Sequence, residues 1–175
     1  MTDVGYSRSI PDSHSLGRFF RSSTESAFDA IGFRDGEIVE YVWKMLLRFV
    51  HVEQLFRRSR KTGDRLEHIV DFLLEAERMD NSSIRELKKH MGDTCLFFAG
   101  LYPENLEHRK KNSRFYMSQG KAVYSHVAEI DALRPSAQFF RKLTDKFEEC
   151  VMALRIEREF MHDSVYQYVG RQFGL

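Results

Sequence analysis

From Ile84 onward, apolar side chains recur at helical spacing: Leu87, Met91, Thr94/Cys95, Phe98 and Leu101. Between Thr94 and Pro103 the intervening positions also lose their charges. The unbroken phase predicts one helix from a capping box at Ser83–Glu86 to about Tyr102, with Gly92 inside it at a cost of about 1 kcal/mol relative to Ala. A helix that loses its polar face must be surrounded by protein. Met91–Pro103 is therefore predicted to run through the middle of the fold. The glycines of this stretch, Gly92 and Gly100, are then contact points, most simply against the later helix at Gly120 or against the second helix.

The same reading applied along the chain predicts further helices. Leu16, Phe19, Phe20, Ala27, Phe28 and Ile31 share a face of a first helix, capped at Asp12 or Ser13 and ended by Gly32. Asp35 caps a second, which runs to about Arg58. Its apolar residues wrap most of the cylinder and leave one polar stripe of Glu37, Glu40, Lys44, Arg48 and His51, with Glu40 and Lys44 in the favourable i,i+4 order. A third follows the basic turn Arg57–Gly63, from Asp64 to the acids Glu75 and Glu77. Ser113 is predicted to cap a later helix with Phe115, Gln119, Ala122, Val123, His126 and Ile130 on one face and Gly120 beside Tyr116 and Tyr124. Pro135 suits the first position of the next. That one carries Phe140, Leu143, Phe147, Cys150, Leu154, Glu157 and Met161 at alternating three- and four-residue spacing, the seam of a bundle. Ser164 to about Phe173 is predicted as a short terminal turn.

These elements predict an all-α, single-domain bundle of five to six helices with a central, mostly buried second helix. Residues 1–14, polar and without periodicity, are predicted to be a flexible arm, and 15–175 the domain. A chain of 175 residues is long enough to bury a core, and its fifteen phenylalanines suit a thick one. A net charge of +1 and a pI of about 7.8 supply no global field for nucleic acid or an anionic membrane. No uncharged run approaches the ~20 residues of a membrane span. Cys95 and Cys150 both fall at core-facing positions, as reduced thiols do, and the expected location is cytoplasmic.

Candidate chemistry is sparse. Di-iron bundles aim two Glu-x-x-His pairs at one point between helices. This chain has one, Glu159 to His162, plus the reversed spacing His126 to Glu129, so no metal or other cofactor is expected. Helical ribonucleases of the HEPN class carry Arg, four to six residues, then His, in which Arg stabilises phosphate charge and His moves a proton. Arg155 to His162 is the best placed of three such pairs, a number that chance alone explains. An apolar ligand pocket is the third alternative, lined by Phe98, Tyr116 and Tyr124 near Gly100 and Gly120, with Glu157 as its one ionisable group. A carboxylate on a seam is either paired with an Arg from another helix or raised in pKa. The basic clusters at Arg57–Arg65, Arg85–His90 and Arg109–Arg114 lack aromatic interleaving and read as solvated surface, not as a nucleic-acid interface. The function expected from these features is a non-catalytic interaction or regulatory protein, bacterial in size. A protein partner or a homodimer would cover surplus apolar surface on the Phe-rich first and last helices.

Overall fold

A computed structural model describes residues 15–49, 80–108 and 112–161. Within them lie seven helical segments: α1 (Ser15–Ala30), α2 (Gly36–Phe49), α3 (Asn81–Leu101), α4 (Pro103–His108), α5 (Ser113–Ile130), α6 (Ser136–Asp145) and α7 (Phe147–Phe160). The protein is an all-α bundle, with no strand among the described residues. No helix among them is long and apolar enough to cross a membrane. The predicted arm, the basic turn, the third predicted helix and the terminal turn lie outside the described residues, as does the continuation of the second helix beyond Phe49.

α3 is the buried axis. Every residue from His90 to Tyr102 is buried, and α5 and α7 pack along it while α4 closes its end. The glycines allow this closeness. A Cβ at Gly92 would lie 2.5 Å from the Tyr124 ring, one at Gly100 would collide with Leu154, and one at Gly120 would lie 2.6 Å from Phe147 Cε2 and 3.0 Å from Cys95 Cβ. Gly92 thus meets α5 as expected, whereas Gly100 meets α7 instead of α5 or α2, and Gly120 meets both α7 and α3. α1 packs on α2 and α7, and α6 packs on α5.

Local signals account for most boundaries. Gly32, at φ 72°, ends α1 in a Schellman motif: Phe33 N–H donates to Phe28 O at 3.0 Å and Gly32 N–H to Asp29 O at 3.0 Å. The accompanying apolar contact is Phe28 against Phe33, with ring centroids 5.0 Å apart. Asp35 caps α2 by accepting from the amides of Glu37 and Ile38, and Lys142 of α6 reaches the same carboxylate at 2.8 Å.

Four further expectations change. Asp80, not Ser83, caps α3 by accepting from Ser83 N–H at 2.8 Å, and the supposed capping-box Glu86 pairs with Arg85 instead. Asn112, one residue before Ser113, caps α5 through Phe115 N–H at 2.9 Å. The single helix expected after Pro135 breaks at Lys146 into α6 and α7, although its whole seam from Phe140 to Met161 is buried. Finally, α5 is rotated from the expected phase. It buries Tyr116, Gly120, Val123, Tyr124, Val127 and Ala128, and leaves Ala122, His126 and Ile130 exposed. The packing face is the one that carries Gly120, Tyr116 and Tyr124, and Val123 is the residue it shares with the expected stripe.

Candidate functional site

Three carboxylates are buried among the described residues. Asp131 is taken up by Arg85 at 2.8 and 2.6 Å and by Ser136 at 2.7 Å, and the other two, with one groove, concentrate the remaining polar chemistry. The first carboxylate, Asp93, stands in the middle of α3 and is 2% exposed. Its Oδ1 accepts from the hydroxyl of Tyr124 on α5 at 2.6 Å and from that of Tyr41 on α2. Its Oδ2 accepts from Arg48 of α2 at 3.2 Å and from Lys89, one turn earlier on α3, at 3.4 Å. Both cations also lie over the Tyr41 ring. Burial acts to raise the Asp93 pKa, but Lys89, Arg48 and the two hydroxyls outweigh it and hold the carboxyl below its ordinary value. Burial and the Asp93 charge push both tyrosines well above theirs. The tyrosines are therefore donors at any ordinary pH, and the cluster pins α2, α3 and α5 together rather than exchanging protons.

The second carboxylate, Glu157 on α7, is 0% exposed. It meets no cation among the described residues. Instead Ser23 and Thr24 of α1 donate to Oε1 at 2.6 and 2.8 Å, and Thr24 Oγ1 lies 3.0 Å from Oε2. Burial raises its pKa to about 7, against a smaller lowering by the two hydroxyls. Neighbouring Arg158 turns away to Glu104 of α4, at 2.6 Å.

A groove of about 440 Å³ opens where α1 meets α2. Phe28, Phe33, Val39 and Trp43 supply its apolar lining. Arg21 and Arg34 alternate around it with Glu25, Asp29 and Glu40. Arg21–Glu25 and Arg34–Asp29 are paired at 3.0 Å in water-exposed positions.

The residues singled out from the sequence fall in several places. Tyr124 belongs to the Asp93 cluster, and its ring packs against Phe140 and Phe147. Phe98 and Tyr116 meet edge-on at 6.4 Å. The space beside Gly100 and Gly120 is filled by Leu154 and Phe147. Glu157 faces α1, apart from these aromatics. Arg155 is exposed, donating to Ala99 O at 3.4 Å and to Ser113 Oγ at 3.1 Å. His162 lies outside the described residues. His126 is exposed with Lys88 Nζ 2.9 Å from its Nδ1, and Glu129 and Glu159 are exposed. Among the described residues no three metal-ligating side chains converge.

Asp93, Ser23 and Thr24 escaped the sequence reading, yet each left a signal. Asp93 is the one charged residue in Met91–Pro103. Ser23 and Thr24 continue the face of Phe20, Ala27 and Phe28. No protein-family model, curated protein or solved structure matches the chain.

Proposed function

We propose that this is a non-catalytic interaction protein, cytosolic and of a size common among bacterial regulators, that associates with a second copy of itself through the α1–α2 groove. The groove is the observation that carries this reading. An interface needs an apolar centre and a polar rim, and the half-buried Phe33 and Val39, resting on the buried Phe28 and Trp43 within a rim of charges, have that composition. A two-fold interface also sets one patch against itself, so the patch must be self-complementary. Two arginines and three carboxylates on one rim supply both signs of charge, as that condition requires. Asp93 points the same way, because it is committed to its neighbours. Two buried free thiols suit a reducing compartment such as the cytosol. No metal, cofactor or nucleic acid enters the reading.

Sedimentation equilibrium tests it. Wild type should sediment at twice the 20.7 kDa of the chain, and Phe33→Asp, which places a charge on the half-buried lining, should return it to the monomer. A wild type that stays monomeric across the accessible concentration range refutes self-association. If a photo-reactive residue at Val39 then captured a different protein in cells, the occupant would be that partner.

A further inference from the structure

The Glu157 carboxyl is sealed between two helices far apart in sequence, and it lacks what an ionised carboxylate requires. Buried charges are ordinarily paired with an opposite charge. Here the only partners among the described residues are two hydroxyls, Ser23 and Thr24, each with a single proton to give. Ser23 Oγ also lies 3.3 Å from Phe20 O, so its proton has a competing acceptor. Among the described residues no charge compensates from a packed element. The charged side chains of α1, namely Arg18, Arg21, Glu25 and Asp29, are exposed. On α7, Arg158 is paired with Glu104 of α4, while Arg155 and Glu159 are exposed. α3 carries no charged residue from Thr94 to Leu101.

A neutral carboxyl fits this place well. One oxygen accepts from Ser23, and the protonated oxygen donates to Thr24 Oγ1. An ionised one leaves an uncompensated charge between α1 and α7, and the simplest relief is for water to enter as α1 lifts. We propose that the seating of α1 on the bundle is controlled by a proton on Glu157: the neutral acid holds α1 against α7, and ionisation loosens α1 together with the groove it shares with α2. The consequence for binding rests on the self-association proposed above, whereas the loosening of α1 stands without it.

Trp43 is the chain's one tryptophan, nearly buried and lining the same groove as Phe28. It is a built-in reporter of α1. Acrylamide quenching of its emission, measured on the full chain from pH 5 to pH 8.5, should rise with a midpoint near 7. Over the same range the amides of 15–30, corrected for intrinsic exchange, should lose protection by on the order of a hundredfold. Glu157→Gln should abolish both transitions. Thr24→Val, which removes the hydroxyl that both forms of the carboxyl use, should shift the midpoint and guards against failure of the first variant to fold. A flat wild-type profile overturns the proposal, as does a transition that Glu157→Gln and Thr24→Val leave unchanged. Sedimentation at pH 5.5 and pH 8.5 separates the two claims. A Trp43 transition in a protein that is monomeric at both supports the proton switch and refutes the dimer.

Discussion

Replacing Gly92 by Ala sets two effects of opposite sign against each other. Gly92 lies inside α3, and Gly32 is the only described glycine with positive φ, so the backbone at 92 accepts any L-residue. Helix propensity alone would make the alanine variant more stable by about 1 kcal/mol. The new Cβ, however, would stand 2.5, 2.7 and 2.9 Å from Cε1, Cδ1 and Cζ of Tyr124. That ring cannot swing away freely. It packs against Phe140 and Phe147, and its hydroxyl is 2.6 Å from Asp93 Oδ1. Overpacking of a filled core costs about 1–3 kcal/mol. Weakening a hydrogen bond to a buried charge adds up to about 1.5–3 kcal/mol. The clash wins, with a net loss of about 2–3 kcal/mol and a fall in Tm of roughly 5–10 °C for a domain of this size. Urea and thermal denaturation followed by circular dichroism measure it. Tyr124→Phe supplies the control. It keeps the ring but removes the hydroxyl, so Gly92→Ala should do less damage in that background, and the two losses should be non-additive. A Gly92→Ala protein more stable than wild type, or strict additivity of the pair, would refute the packing described for α3 and α5.

Other outcomes follow from the same contacts. Asp131→Ala should destabilise by about 2 kcal/mol, because it strips a bidentate partner from Arg85 (2.8 and 2.6 Å) and an acceptor from Ser136; a change under about 0.5 kcal/mol in a urea melt would contradict this. The hydrogen bond from Arg85 leads the lowering of the Asp131 pKa, so its contribution is present above the ordinary carboxylate range and lost as pH falls through the folded-state value. Glu157 has the opposite sign. Its pKa rises from 4.5 to about 7, so its neutral form favours the fold below pH 4.5 and stability declines as pH rises toward 7, by about 3 kcal/mol at most. Glu157→Gln should accordingly stabilise the protein at pH 8 and change little at pH 4.5; equal effects at both values would remove that role. Burial pushes both thiols well up, to a degree that leaves no thiolate at neutral pH. A thiol reagent should label neither Cys95 nor Cys150 until the protein unfolds, and fast labelling of the native chain would contradict their burial. Gly100→Leu should unfold the protein or part α3 from α7; a wild-type melting curve would show that the contact with Leu154 does not hold the core.

The sequence made some of this legible and concealed the rest for identifiable reasons. Gly32 and the Phe28–Phe33 pair announce the end of α1 because every partner in that motif lies within five residues. The seam from Phe140 to Met161 survives the break at Lys146 because burial follows periodicity, whereas the break belongs to backbone geometry that spacing does not encode. The phase of α5 is ambiguous in the sequence because Tyr116 and Tyr124 count as half-polar until their environment is known. Tyr124 becomes a core residue only when Asp93, thirty-one positions away, accepts its hydroxyl. Ser23 and Thr24 are unremarkable on α1 alone and acquire meaning from Glu157, more than 130 residues later. The groove is likewise a product of how two adjacent helices cross, and no spacing rule along either one reveals it.

Hydrogen–deuterium exchange of the full chain at rising protein concentration tests the functional reading most directly. Association through the groove predicts added protection confined to 15–49, centred on Phe28–Trp43, while 90–102 stays equally protected at every concentration. Protection that grows instead on α5–α7, or nowhere, would contradict the assignment of the α1–α2 face as the binding surface.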